Sequence, residues 1–306
     1  MDGMLIIDKP AGWTSHDVVA KIRGITRIKK IGHTGTLDPF ATGVLPLAVG
    51  RATRLTGFFQ ASDKVYRGVI RFGFATNTYD VDGEPLSEDT NPDLDADRLE
   101  EIFAQWHGTV QQTLPPYSAK KVQGKPLYVY ARKGIEMAPV VKEITIKSLK
   151  LLGVNHSSAE FELACAAGAY ARGLAHDIGQ EYGCGAHLEQ LRRIQCGDFS
   201  IEEATPLTTP DDAQSFYSAE FFFSRMIPMN SLLPEIPSIV VSDGDRQKLL
   251  HGNDVNILSA DWQAENYRLL DTDGGLVAIA RKIQVFEPLA AQTVRWLKVH
   301  PTITFG

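Results

Sequence analysis

Cysteine is scarce in this chain. Its 306 residues include only Cys165, Cys184 and Cys196, an odd number with no C-x-x-C pair. That pattern argues against a disulfide framework or a zinc site, suits a reducing, cytoplasmic compartment, and predicts three small buried thiols. Long hydrophobic runs are also missing: none approaches the roughly 20 residues of a membrane helix. The N-terminal MDGMLIIDKP lacks the basic stretch and apolar core of a secretory signal. The sequence has no P-loop, dinucleotide-binding fingerprint or metal-ligand pattern, so it calls for no cofactor and no metal.

What is present suits a soluble globular chain with one large domain and a smaller one: 43% of residues are hydrophobic and 22% charged. The net charge of −6 argues at first against a nucleic-acid partner, but its distribution does not. Residues 1–75 hold 11 Lys and Arg against 5 Asp and Glu, residues 76–105 hold 1 against 10, and residues 119–150 hold 8 against 2. Two basic blocks around an acidic one can build a positive face on an acidic protein. Counting by blocks leaves a scatter of solvated charges equally open.

Periodicity outlines the elements. Thr14 and Ser15, followed by Asp17, Val18, Val19, Ile22 and Ile25, predict a capped amphipathic helix ending near Arg27. Residues 65–74 read as a strand, with Tyr66, Gly68, Ile70, Phe72 and Phe74 on one face. The acidic 76–94 segment, with Asp82-Gly83 and Asn91-Pro92, reads as loop. Leu99, Ile102, Phe103 and Trp106 repeat at helical spacing over about 95–107. Ile144 with Ile146, and Phe161 with Leu163 and Cys165, predict two strands; Leu174, Ile178 and Tyr182 predict a helix. Residues 211–225 read as helical. Pro228, Pro234 and Pro237 mark a boundary, beyond which short apolar segments at 238–241, 267–270, 276–280 and 284–286 give a β-rich pattern.

The stretch from Gly32 to Arg54, GHTGTLDPFATGVLPLAVGRATR, is the most informative. It reads as a loop with a single acidic residue, Asp38, among glycines that permit tight turns and close backbone approach. Leu37, Phe40, Val44 and Leu45 could desolvate that carboxylate. From turn preferences alone, an Asp-Pro pair in such a loop is more often a turn former than a catalytic group. A second segment, YSAKKVQGKPLYVYARKG over 117–134, interleaves basic and aromatic residues. Such residues neutralise phosphates and stack on bases, although a short helix at 126–133 with partly buried tyrosines accounts for the same pattern.

The 32–54 string resembles the catalytic loop of the tRNA pseudouridine-55 synthase family, the TruB class. The resemblance extends to Leu5–Gly12 (LIIDKPAG), to Asp63–Arg67 (DKVYR), to the 117–134 segment, to Gly168–Arg172 (GAYAR), and to Gly183–Leu188 with Leu191-Arg192-Arg193. Ala169 departs from the Thr usual before that Tyr, and Ala166 and Ala167 replace more polar family residues, which touches backbone positioning and not the reaction. The resemblance implies a mixed α/β pseudouridine-synthase fold: a curved central mixed sheet flanked by helices in residues 1–230, an RNA-gripping thumb at about 117–140, and a small β-rich PUA-like RNA-binding domain over 236–306. It implies isomerisation of uridine 55 in the T loop of tRNA, without cofactor, by base flipping.

The site roles follow from the same resemblance. Asp38 is the catalytic carboxylate, Arg172 pairs with it, and Tyr66 stacks on the uracil. Tyr170 and Leu191 shape the pocket, and His33 contacts the flipped nucleotide. Lys120, Lys121, Lys125 and Arg132 meet RNA phosphates, and Lys9 and Pro10 support the site. By pattern alone, Tyr66, Tyr170 and Leu191 pass equally as core residues, and Arg172 as a surface residue at a helix start. The expected partner is the tRNA T stem-loop, bound by a monomer that needs no protein partner and no membrane. Other readings are a non-catalytic tRNA-binding or folding protein, a guide-RNA-dependent synthase, and a glycosidase-like enzyme. The last would need a second acid across the bond, and no motif supplies it.

Overall fold

The structure is a computed structural model that describes residues 1–118, 120–122, 124–135, 137–207, 217–286 and 294–306, without the side chain of Lys121. Among these residues the architecture is mixed α/β, built on an eleven-stranded sheet and a five-stranded sheet. The path of the larger sheet runs Thr205–Pro206, Gly3–Lys9, Thr42–Val49, Ala186–Cys196, Lys64–Phe72, Ser158–Cys165, Val141–Asn155 and Gly108–Thr113. Helices Ser15–Thr26, Ala96–Gln105 and Ala171–Tyr182 pack their apolar sides onto it. No helix among the described residues is long and apolar enough to cross a membrane.

The predicted first helix forms as Ser15–Thr26. Thr14 caps it through a reciprocal box with Asp17, and Arg27 ends it in a left-handed conformation. The third-segment helix is Ala96–Gln105, capped by Asp95, and Ala171–Tyr182 ends at Gly183. The 76–94 segment contains no helix and only isolated bridges at Thr76 and Asp80.

Several expectations need correction. The whole 32–54 stretch is not loop: Ile31–His33 and Thr42–Val49 are strands, leaving about 34–41 as the connecting segment. Thr42–Val49 is buried on both faces. Leu45 and Leu47 join the core under the helices, while Val44 and Ala48 join a second cluster with Leu276 and Ile279 of the smaller sheet and with Phe305 just beyond it. A strand covered on both sides reads as a continuous apolar run, so alternation cannot reveal it. Of the expected 211–225 helix, residues 211–216 lie outside the described residues, and within 217–225 the helix covers Ala219–Phe223. The two apolar segments at 276–280 and 284–286 lie on one strand, Leu276–Val285, with a register shift between Lys282 and Gln284. Cys165 and Cys196 are buried thiols, but Cys184 is half-buried.

The C-terminal sheet runs in the order Ser238–Val240, Asn266–Leu270, Leu276–Val285, Arg295–Thr304 and Val255–Ser259, and its core includes Tyr267, Leu269, Leu297 and Val299. One ion pair joins the first basic block to the acidic one, Arg71 to Asp89 at 2.7 Å; Arg67 instead meets Glu162, outside those blocks, at 3.0 Å.

Candidate active site

Register in the larger sheet assembles the site. Thr42–Val49 runs parallel to Ala186–Cys196, with Gly43 opposite Arg193. Gly43 has φ 103°, and a Cβ there would sit 2.2 Å from the Arg193 carbonyl, so this glycine is required by close approach. On the other side Ala186–Cys196 pairs with Lys64–Phe72, which sets Arg193 opposite Tyr66. Lys64–Phe72 then pairs with Ser158–Cys165, and the chain leaves that strand to enter the helix beginning at Ala171. Asp38, Tyr66, Leu191 and Arg172 thereby come from four distant segments to one place.

Asp38 sits in a turn that its own carbonyl closes by accepting from the Ala41 amide at 3.2 Å. The turn-former reading of Asp38-Pro39 thus holds. The segment is tied down from outside. The Ser15 hydroxyl donates to the Leu37 carbonyl at 3.1 Å and accepts from its amide at 2.9 Å. The fully buried Lys9 ammonium donates to the carbonyls of Pro10, Trp13 and Pro39 at 2.9, 2.6 and 3.0 Å. Burial lowers the Lys9 pKa to about 8, with the Asp38 charge acting in the opposite direction. Arg193, 1% exposed, donates to the carbonyls of Val44 at 2.7 Å and Gly35 at 3.2 Å.

Arg172 holds the carboxylate in a two-point fork. Its Nε donates to Asp38 Oδ2 at 2.9 Å and its Nη2 to Oδ1 at 3.1 Å. The remaining donors reach the Thr78 carbonyl at 3.1 Å and the Tyr117 carbonyl at 3.0 Å. The Arg172 side chain is 6% exposed and that of Asp38 33%, so the guanidinium is sealed while the carboxylate still faces open space. Arg172 is therefore no surface residue, although it opens a helix.

That open space is a cavity of about 730 Å³ lined by His33, Asp38, Tyr66, Tyr170, Arg172 and Leu191, together with Tyr117, Tyr128 and Arg132. Burial raises the Tyr66 phenol to about 12, so it is neutral across the physiological range. Burial likewise raises Tyr170 and lowers His33, whose Nδ1 has no hydrogen-bond partner among the described residues. Tyr170 is locked by Gln112, which accepts from its amide and donates to its carbonyl, both at 2.9 Å. A larger hollow of about 970 Å³ lies beyond Pro39 and Leu191, lined in part by Arg67, Arg192 and Glu160, and contains neither Asp38 nor Arg172.

The basic-aromatic segment contributes unevenly. It forms a small ribbon, Lys121–Val122 with Lys125–Pro126, followed by the helix Leu127–Ala131. Tyr128 and Arg132 reach the cavity. Lys120 and Lys125 are exposed and do not line it; the Lys121 side chain lies outside the description.

Two residues were not singled out from sequence. Asp80, with a side chain 8% exposed, stands 3.4 Å from Arg172 Nη1, so one guanidinium serves two carboxylates. Burial raises its pKa, the Thr78 hydroxyl and Arg172 oppose the rise, and the Asp38 charge adds to it. Nothing in an acidic loop with six carboxylates distinguishes this one before the fold brings it inward. Arg193 belongs to the Leu191-Arg192-Arg193 motif, and its role as a buried tie for the loop appears only in three dimensions.

Comparison with known proteins agrees with this geometry. Residues 23–171 match the N-terminal domain of the TruB family of pseudouridylate synthases, and 172–234 match the tRNA pseudouridylate synthase B C-terminal domain. A tRNA pseudouridine synthase B from Solibacter usitatus is 44% identical over 287 residues, covering 92% of this chain and 96% of that protein. The Aquifex aeolicus protein of that name is 39% identical, with 86% and 90% covered. Among solved structures, an H/ACA RNP bound to a substrate RNA containing 2′-deoxyuridine superposes with TM-score 0.69 at 23% identity, over 99% of this chain and 85% of that one. A Cbf5–Nop10–Gar1 complex gives 0.67 at 25% identity, over 92% and 78%. These likenesses agree with the fold, and with the sequence matches they establish that the chain belongs to the TruB family of tRNA pseudouridine synthases.

Proposed function

We propose that this enzyme converts uridine 55 in the T loop of tRNA to pseudouridine, with Asp38 as the reacting carboxylate. The observation that carries the proposal is the fork between Arg172 and Asp38 at the wall of a cavity that also presents Tyr66. The reaction breaks N1–C1′, turns the uracil, and joins C5 to C1′; C5 gives up a proton and N1 gains one. Nothing is oxidised and no group leaves the RNA. The fork aims the Asp38 oxygens at one place, where they serve as nucleophile at C1′ or base toward a sugar proton.

A paired uridine cannot reach the cavity, so the nucleotide is flipped before reaction. Tyr66 stacks on the uracil as a neutral phenol, Tyr170 and Leu191 frame it, and His33 packs against the displaced nucleotide. Arg132, with Lys120, Lys121 and Lys125, neutralises T-arm phosphates from the thumb at about 117–140. Residues 1–230 form the catalytic unit and 236–306 a PUA-like RNA-binding unit. The chain acts as a monomer without guide RNA or protein partner.

The test is incubation of purified protein with unmodified tRNA transcript alone, followed by mapping of pseudouridine. Conversion at position 55 is expected. Conversion at no T-loop uridine would remove the assignment, and conversion only on addition of a guide RNA would favour the guide-dependent reading.

A further inference from the structure

We infer that Tyr79 and His176 form a positioning pair that holds Arg172, and through it Asp38, in place for the reaction. The inference rests on the roles proposed above for Asp38 and Arg172.

Arg172 Nη1 is gripped by the Thr78 carbonyl at 3.1 Å and the Asp80 carboxylate at 3.4 Å. The residue between those two contacts is Tyr79, whose φ of 66° is left-handed. Glycine takes that conformation freely, whereas a bulky side chain persists there only when its surroundings hold it. The ring of Tyr79 lies flat on the ring of His176, with centroids 3.7 Å apart and planes 8° from parallel. His176 follows Arg172 by four residues on the Ala171–Tyr182 helix, one turn along the same face. The stack therefore joins the 78–80 turn to the helix that carries the guanidinium.

The turn is also fixed from the opposite side. The Tyr79 carbonyl accepts from the Leu188 amide at 3.0 Å, and Asp80 forms an isolated bridge with Leu188, on the strand that carries Leu191. His176 Nδ1 is buried without a hydrogen-bond partner among the described residues, and the contact that the ring makes with the turn is the stack. Burial lowers its pKa, which keeps the imidazole neutral. Tyr79 itself does not reach the reacting atoms. It lines a separate hollow of about 590 Å³ beneath the 127–140 segment, with Leu114, Leu127 and Val140. It acts through Arg172 as a positioning residue.

Single-turnover formation of pseudouridine on tRNA transcript tests this, with tRNA affinity and thermal melting measured in parallel. Tyr79→Gly suits the backbone and removes the stack. Its rate at saturating tRNA should fall about tenfold while affinity stays within about threefold and the melting temperature holds. His176→Ala should lose a similar factor, Tyr79→Phe should restore the rate because the ring is kept, and the double variant should be no slower than either single one. A wild-type rate for Tyr79→Gly, or losses that multiply in the double variant, would overturn the inference. So would a rate that falls only in step with the folded fraction. Asp38→Asn in the same assay keeps the two levels apart: turnover by that variant would overturn the site assignment itself, whatever Tyr79 does.

Discussion

Removal of the Arg172 side chain should separate chemistry from binding. The guanidinium makes two bonds to Asp38, one each to the Thr78 and Tyr117 carbonyls, and an ion pair to Asp80. Truncating one partner of a buried ion pair costs about 3–5 kcal/mol because the other charge is stranded. Here the cost is lower. Asp38 is 33% exposed and can recruit water, and Asp80 keeps bonds from the Thr78 hydroxyl at 2.5 Å and the Asp82 amide at 3.2 Å. A stability loss of about 2–3 kcal/mol is expected for Arg172→Ala.

The kinetic loss should be larger than that in its consequence. Freed from the fork, the Asp38 carboxylate samples other rotamers, and a misplacement of about 1 Å costs on the order of 10²-fold in rate. Arg172→Lys should recover little, because an ammonium offers three donors without the planar fork. The assay is the single-turnover rate at saturating tRNA, set beside the dissociation constant and the melting temperature. A fall of about 10²–10³ in rate, with binding changed by less than about threefold, is expected. Unchanged turnover with weakened binding would make Arg172 a phosphate contact and refute the reasoning.

Other perturbations follow from the same geometry. Asp38→Asn keeps the shape and removes the anion, so tRNA binding should persist while isomerisation drops by at least about 10³-fold; near-normal single-turnover rates would sink the assignment. Simultaneous replacement of Lys120, Lys121 and Lys125 by Ala should weaken tRNA binding and make its log–log salt dependence shallower by ~2, at about 0.7 per lost phosphate contact; an unchanged slope would leave these lysines as a solvated surface. Burial pushes Asp177 up from 3.8 to about 6. The folded protein then binds a proton that the unfolded chain has released, so stability falls as pH rises through that window. Asp177→Asn should accordingly stabilise the fold at pH 7.5 by up to ~3 kcal/mol, discounted to about 1–2 for partial exposure and the weakened bond from Thr113, with the gain gone at pH 4. Melting curves at the two pH values check it.

The elements that could be read from the sequence are those with one wet face. Val18, Val19 and Ile22, and Leu174 and Ile178, mark helices because the other side of each turn is polar, and Thr14 with Asp17 adds a local cap that requires no tertiary information. Thr42–Val49 carries no such signal. Its residues are apolar on both faces, and Pro46 in its middle argues against a strand at all. The fold accommodates Pro46 opposite Ile6, and its carbonyl accepts from the Thr34 amide at 3.1 Å. The long acidic loop was read correctly as irregular, but irregular backbone gives no hint of which carboxylate turns inward.

The site shows the same division between local pattern and long-range pairing. Asp38 and Arg172 are separated by 134 positions, and no periodicity relates them. Their pairing depends on the register that sets Gly43 against Arg193 and Arg193 against Tyr66, two strand contacts formed between distant segments. A resemblance in motif can name both residues in advance; it cannot supply Asp80, because the chain around it is only a turn until Thr78 and Asp80 close on the guanidinium. The arrangement also explains why a cation is tolerated in the first turn of the Ala171–Tyr182 helix, where the helix dipole disfavours it by about 0.3–1 kcal/mol. Two carboxylates and two carbonyls converge on Arg172 and outweigh that penalty. Moving the arginine one residue along the helix would rotate it by about 100° and lose the fork entirely, so the position of Arg172 relative to the helix start is itself part of the site.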